Sequence, residues 1–156
     1  MEYLQELVLP RREDDLEELL AVWDSSVRAT HGFLTEADIV MLTPLVRQGL
    51  REIPLLHILR DAQGTKLGFM GTDGDKLEML FLRPDARGRG FGRRLLDFAV
   101  KELGIRRLDV NEQNPAALAF YLHQGFQVTE RSELDDMGNS WPLLRMRLKE
   151  APPAGI

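Results

Sequence analysis

Residues 77–96, LEMLFLRPDARGRGFGRRLL, constrain the fold more than any other stretch. They read as a buried strand, an exit marked by Pro84, a loop with three glycines, and a helix. A strand that delivers a glycine-rich loop onto a helix start makes an anion-binding arrangement. The first N–H groups of a helix have no internal partner, and the helix dipole favours negative charge beside them. Gly88, Gly90 and Gly92 carry no Cβ, so a phosphate can lie against bare main chain. Arg87, Arg89, Arg93 and Arg94 surround that spot in sequence and suit a polyanion.

The flanking segments supply the rest of the architecture. Tyr3 to Leu9 reads as a strand closed by Pro10. Leu16, Leu19, Leu20, Trp23 and Val27 fall on one face of a helix over Glu13 to Arg28, which Thr30-His31-Gly32 breaks. Thr35 reads as the N-cap of a second helix, with Asp38 three residues on, and Pro44 predicts a kink or two short helices. Leu55–Leu59, Lys66–Thr72 and Leu77–Leu82 are joined by short turns, Asp73-Gly74 among them, and predict an antiparallel meander. The third strand is apolar on both alternating sets except at Glu78, so both its faces should be covered. Gly92, Leu95, Leu96, Ala99 and Leu103 line the helix after the loop, which Gly104 stops, and Arg107 to Glu112 returns as a strand. Strand, helix, strand in that order implies a right-handed parallel crossover. Asn114-Pro115 opens a short helix that ends at Gly125, and Phe126–Leu134 and Leu143–Leu148 are the last strands. One domain over residues 1–150 is expected, with a disordered tail at 151–156.

Bulk properties narrow the function. Net charge is −5, against general nucleic-acid binding, yet Arg83 to Arg107 holds eight basic residues against three acidic ones. A basic middle in an acidic chain suits a small polyanionic ligand. There is no cysteine, hence no disulfide, thiolate metal site or cysteine nucleophile. His31, His57 and His123 lack metal-ligand spacing, and no metal is expected. No apolar run reaches membrane-spanning length, and MEYLQELVLPRRE does not read as a signal peptide, so a cytoplasmic protein is expected.

Two motifs carry a family resemblance. Arg87-Gly88-Arg89-Gly90-Phe91-Gly92 resembles the pattern Q/R-x-x-G-x-G/A of the GNAT (GCN5-related) acyl-CoA N-acetyltransferases. Asn114 to Tyr121 followed by Gly125-Phe126 is similar to their second signature, N-x-x-A-x-x-F-Y-x-x-x-G-F. Thr30-His31-Gly32-Phe33-Leu34 and Val110 to Asn114 resemble one branch, the small bacterial YjaB type regarded as peptidyl-lysine acetyltransferases. The resemblance implies an α/β (α+β) fold with a mixed, mostly antiparallel central sheet, a splayed parallel strand pair and flanking helices. It implies acetyl-CoA as co-substrate, lying in the splay between the strands at Leu77–Leu82 and Arg107–Glu112. Main chain at Leu80, Phe81 and Leu82 would pair with the pantetheine arm. Arg87, Gly88, Arg89, Gly90, Phe91, Gly92 and Arg93 would hold the pyrophosphate, and Asn114 would hydrogen-bond the arm.

The family uses a tyrosine at the position of Tyr121 as the acid toward sulfur. An unperturbed Tyr, pKa about 10, giving its proton to a thiolate of about 8.5 is uphill by roughly 2 kcal/mol. Tyr121 therefore has a lowered pKa or acts mainly as a hydrogen-bond donor to the departing sulfur. A lysine-type acceptor must also lose a proton, at a cost near 4.6 kcal/mol at pH 7. Glu78 is the candidate base, directly or through water, with His31 and His57 behind it; Asp135 and Asp136 could attract a cationic amine.

Three rivals are weighed against this. A dinucleotide-binding oxidoreductase fits Gly88, Gly90, Gly92 and Asp109 superficially but fails at Arg93, where a third-position glycine belongs. A nucleotide-hydrolysing P-loop lacks Gly-Lys-Ser/Thr. A non-catalytic acetyl-CoA sensor is disfavoured by Tyr121. The expectation is direct acetyl transfer to a primary amine, a protein lysine or a small amine or antibiotic, with no membrane or nucleic-acid partner and with a homodimer left open.

Overall fold

The computed structural model describes residues 1–150, and the tail expected at 151–156 lies outside the described residues. Two compact units are found, Met1–Ile105 and a second from Arg106 onward. The first contains β1 (Tyr3–Glu6), α1 (Glu13–Thr30), α2 (Glu36–Glu52), β2 (Leu55–Arg60), β3 (Lys66–Asp73), β4 (Lys76–Leu82), a single 3₁₀ turn at Pro84–Ala86, and α3 (Phe91–Glu102). Its strands run in the order β1-β2-β3-β4, antiparallel throughout, so the predicted meander is present with one more strand at its edge.

The apolar face of α1 drives the packing. Leu16, Leu19, Leu20, Trp23 and Val27 are buried with Ile39 and Leu50 of α2 and with Leu56, Ile58 and Phe69 of the sheet. Each aliphatic side chain so buried stabilises the fold by about 1.5–3 kcal/mol relative to exposure. His57 and Met70 pair across β2 and β3, and the His57 ring meets Phe98 of α3 edge-on at 5.3 Å. Strand residues alternate between faces, so α3 covers the face opposite α1 and α2. Met79 and Phe81 of β4 pack against the α1–α2 core, and α3 also contacts β4. The expectation that this strand is covered on both faces holds.

Two local features explain the helix ends. Thr35 Oγ1 accepts from Asp38 N at 3.1 Å while Asp38 Oδ2 accepts from Thr35 N at 2.8 Å, the expected reciprocal cap. α2 is continuous from Glu36 to Glu52 with Pro44 inside it, not two short helices. Pro44 and Val40, whose carbonyl it cannot serve, are both exposed, so the lost bond falls on the outer side of the helix.

The second unit contains β5 (Arg107–Asn111), α4 (Pro115–His123), β6 (Phe126–Ser132) and β7 (Leu143–Leu148). β7 lies between β5 and β6 and is antiparallel to both, with α4 against β5 and β6. The β6–β7 turn is held by Asp135, whose Oδ1 accepts from Met137 N at 3.0 Å and Asn139 N at 2.7 Å, with Gly138 left-handed at φ 82. No helix among the described residues is long and apolar enough to cross a membrane.

Candidate active site

The loop that follows β4 has the form its sequence predicts. Arg83 N donates to Leu67 O at 2.8 Å, Ala86 is buried at the 3₁₀ turn, and the chain then runs exposed from Arg87 to Gly90. Gly88 has φ 74 and Gly90 has φ 80, and nothing lies within 4 Å of a Cβ built on either. Both positions need glycine for backbone reasons, and the space beside them is open. Gly90 is also the N-cap of α3, and no side chain caps that helix. The first internal bond runs from Arg94 N to Gly90 O at 3.1 Å. The amides of Phe91, Gly92 and Arg93 are therefore the donors an α-helix leaves over. Gly92 lies inside α3 with ordinary helical backbone, so its role is a missing side chain and not a turn.

The arginines divide. Arg87 and Arg89 are exposed, and the Arg89 guanidinium lies 4.6 Å over the buried Phe91 ring. Arg93 is exposed and only 3.9 Å from Asp97. Arg94 is turned away, donating to Glu2 O at 2.9 Å with Glu2 Oε1 at 3.5 Å. The loop thus keeps three of the four arginines the sequence pointed to.

On β4 the residues expected to meet the pantetheine arm have distinct roles. Phe81 is half-buried against the α1–α2 core, 5.7 Å from Phe69, with which it pairs in register. Leu80 and Leu82 are half-buried, in register with Met70 and Gly68. Glu78 occupies an irregularity. Gly71 pairs with Met79 and Thr72 with Leu77, so Glu78 is the extra residue of a β-bulge. Bulges re-aim a side chain and occur beside active sites. The Glu78 carboxylate is exposed, with Lys76 Nζ at 3.4 Å. The break in register is not legible in sequence; the lone acid in an apolar run is its one trace.

In the second unit Asn114 is buried and caps α4, its Oδ1 accepting from Ala117 N at 3.3 Å. Capping uses Oδ1 and leaves the Nδ2 hydrogens for another acceptor. Tyr121 is half-buried between Phe120 at 5.2 Å and Phe126 at 6.2 Å, both edge-on. Burial of its hydroxyl pushes the phenol above its ordinary range. Of the two alternatives the sequence left open, a lowered pKa is therefore not the one found. Desolvation favours the neutral form, which keeps Tyr121 a donor.

Other residues singled out from the sequence have structural employment. Asp109, the would-be ribose ligand, accepts from Arg145 Nη1 at 2.6 Å, and Asp136 accepts from Arg145 Nη2 at 2.8 Å. With Asp135 holding its turn, neither acid of that pair is spare. His57 is buried, its Nδ1 without a hydrogen-bond partner, and desolvation pushes it below its ordinary range against the opposing pull of Glu6. An open groove of about 510 Å³ lies elsewhere in the first unit, lined by Glu18, Ser25, Lys66 and Arg83 among others, and includes none of the expected site residues.

An uncapped helix start behind two left-handed glycines, on an antiparallel meander, defines the class, and comparison with known proteins agrees. Residues 55–128 match the model of the acetyltransferase (GNAT) domain. The chain is 42% identical over 135 residues to the peptidyl-lysine N-acetyltransferase YjaB of Salmonella typhimurium, covering 86% of this chain and 92% of that one. It superposes on the solution structure of apo-form YjaB from Escherichia coli with a TM-score of 0.85 at 38% identity, covering 97% and 99% of the two chains. It shares the fold of the PaiA N-acetyltransferase of Thermoplasma acidophilum, solved in complex with coenzyme A, at TM-score 0.68 and 24% identity, covering 94% and 99%. The chain belongs to the GNAT acetyltransferase family and is an N-acetyltransferase.

Proposed function

We propose that this enzyme transfers an acetyl group directly from acetyl-CoA to the primary amine of a lysine side chain. The observation that carries the donor half is the uncapped start of α3 behind Gly88 and Gly90. It offers the leftover amides of Phe91, Gly92 and Arg93, with Arg87, Arg89 and Arg93 beside them, and is suited to a diphosphate. Main chain at Leu80, Phe81 and Leu82 takes the pantetheine arm, and the Nδ2 hydrogens of Asn114 give it a further hydrogen bond. The lysine half rests on the 42% identity to an enzyme named for peptidyl-lysine acetylation. Residues 1–150 serve as one catalytic domain.

Acetyl-CoA supplies a thioester whose acyl carbon is open to attack. A C–N bond forms, the C–S bond breaks, the amine gives up one proton, and sulfur leaves with the electron pair. Tyr121, held neutral by burial, donates a hydrogen bond to that sulfur as charge gathers on it. Glu78, in the β4 bulge, receives the amine's proton directly or through water. The Lys76 ammonium lies 3.4 Å from its carboxylate.

The deciding variant is Tyr121→Phe, which keeps the ring and removes the donor. Calorimetry should find coenzyme A binding as tight as in the parent. Turnover on a lysine peptide, followed by CoA release, should fall about 10- to 100-fold, the worth of one charge-assisted hydrogen bond. An unchanged rate would remove Tyr121 from the reaction.

A further inference from the structure

His31 sits where α1 ends, and its surroundings fix which ring nitrogen carries hydrogen. Thr30 Oγ1 donates its single hydrogen to Ser26 O at 2.8 Å. The same oxygen lies 2.7 Å from His31 Nδ1. With its hydrogen committed, that oxygen can only accept from the ring, so Nδ1 is the protonated nitrogen and Nε2 holds a lone pair. Among the described residues nothing is hydrogen-bonded to Nε2, and it is not one of the buried unpartnered atoms. A ring with a fixed tautomer and one unpartnered lone pair that is not fully buried is a hydrogen-bond acceptor waiting for a donor.

The neighbours indicate what that donor is. The His31 ring is tilted against Phe33 at 5.4 Å and Phe81 at 6.5 Å, all three half-buried. Phe81 belongs to β4, the strand that carries Glu78. His31 is also the C-cap of α1, its N–H closing onto Val27 O at 2.7 Å. A helix C-terminus carries partial negative charge and favours cations. Aromatic walls, the negative end of a helix and a lone pair together suit a primary amine on an alkyl chain.

We propose that His31 is the acceptor-binding residue: Nε2 receives an N–H hydrogen bond from the incoming amine and turns the nitrogen lone pair toward the acyl carbon, while the alkyl chain lies along Phe33 and Phe81. This rests on the acetyltransferase reading and names the half of its site that holds the substrate. Charged groups on the elements around the ring are accounted for. Arg28 of α1 is bound to Asp24 and Glu36, Asp38 of α2 is engaged in its cap, and Glu78 of β4 is beside Lys76. Desolvation alone sets the ring's preference for the neutral form. A protonated ring would have no lone pair to offer and would repel an ammonium.

The test uses the full chain with Nα-acetyl-lysine N-methylamide as acceptor. His31→Leu should raise the acceptor KM about 10-fold, the loss of one hydrogen bond, and leave the acetyl-CoA KM and the melting temperature near the parent's. His31→Gln, which can place a carbonyl oxygen near the Nε2 position, should recover most of that loss and remove the part of the acid-side fall in acceptor kcat/KM that protonation of the ring causes. Thr30→Val should weaken the acceptor less than His31→Leu does, since it frees the tautomer without removing the ring. A His31→Leu enzyme with parental acceptor kcat/KM would overturn the proposal. So would ¹⁵N spectra of the free protein showing hydrogen on Nε2, or a ring signal unmoved by n-butylamine. The spectra need no turnover. An enzyme that acetylates no amine would count against the acetyltransferase reading alone, and the ring signals would still decide this one.

Discussion

The loop assignment is tested most sharply by comparing two glycines with the same backbone and different surroundings. Gly90 has φ 80 at the start of α3, and Gly64 has φ 84 in the β2–β3 turn. A Cβ built on either meets nothing within 4 Å. In the free protein, alanine at either position therefore incurs only the left-handed backbone cost, about 1–2 kcal/mol, or a fall in melting temperature of about 2–8 °C for a chain of this size. The two differ only when coenzyme A is present. At Gly90 the new methyl group stands beside the leftover amides, where the diphosphate is proposed to lie. Loss of one charge-assisted hydrogen bond there is worth about 1.5–3 kcal/mol, or about 10- to 100-fold in affinity. At Gly64 no such loss arises. Melting curves and calorimetric titration with coenzyme A on both variants give the four numbers needed. The expected pattern is equal loss of stability with weakened binding at Gly90→Ala alone. Equal coenzyme A affinities in the two variants would refute the diphosphate assignment, since the shared backbone cost has been subtracted.

Two further predictions concern the frame around the site. Gly68 pairs with Leu82, and a Cβ there would collide with the Leu82 side chain and stand 2.6 Å from Phe81 O. Gly68→Ala should thus lower the urea midpoint by the equivalent of about 1–3 kcal/mol, as overpacking does, and an unchanged midpoint would show that β3 and β4 can separate freely. Acid stability should report His57, whose folded pKa is lowered by burial from about 6.5 in the unfolded chain. Between those two values the unfolded chain binds the extra proton, so stability falls as pH drops below about 6.5 and levels off once the folded pKa is passed. His57→Phe should flatten the urea midpoint between pH 7 and pH 5; parallel curves for parent and variant would deny His57 that part.

What could be read from sequence was what short-range chemistry decides. Thr35 and Asp38 are three residues apart, and their reciprocal cap follows from that spacing. Gly88 and Gly90 announce a stretch of bare main chain because neither carries a Cβ. Asn114-Pro115 announces a helix start for the same kind of reason. The readings that missed depend on exposure or on a distant partner. Pro44 was expected to kink α2 or split it into two short helices, and the helix runs on from Glu36 to Glu52 with Val40 exposed, which nothing local in the sequence says. Arg94 was counted with the loop, but its partner is Glu2, remote in sequence. The bulge at Glu78 depends on the register between β3 and β4, which periodicity within one strand does not encode. The His31 tautomer depends on which way one hydroxyl points, and the letters Thr30-His31 carry no trace of it.

The direction of the Tyr121 shift redistributes the chemical work. A phenol at its ordinary value already loses about 2 kcal/mol in protonating a thiolate of pKa about 8.5, and burial moves Tyr121 further in that direction. Full proton transfer from Tyr121 is thus the costlier route, and a hydrogen bond that strengthens as sulfur gains charge is the cheaper one. The larger barrier lies with the amine, near 4.6 kcal/mol to reach its neutral form at pH 7. A neutral imidazole with a lowered pKa is a poor place to store that proton, because an alkylammonium is the weaker acid by several units. It is a good place to anchor one N–H while the lone pair is in use. An ammonium has no lone pair, so that proton leaves before attack; a second becomes easy to remove once the C–N bond has begun to form and nitrogen has become acidic, and in the proposed mechanism a carboxylate such as Glu78 takes it. In the proposed mechanism, orientation by His31 before attack and proton removal by Glu78 after it are separate tasks, and the neutral phenol of Tyr121 serves neither but steadies the charge that gathers on sulfur.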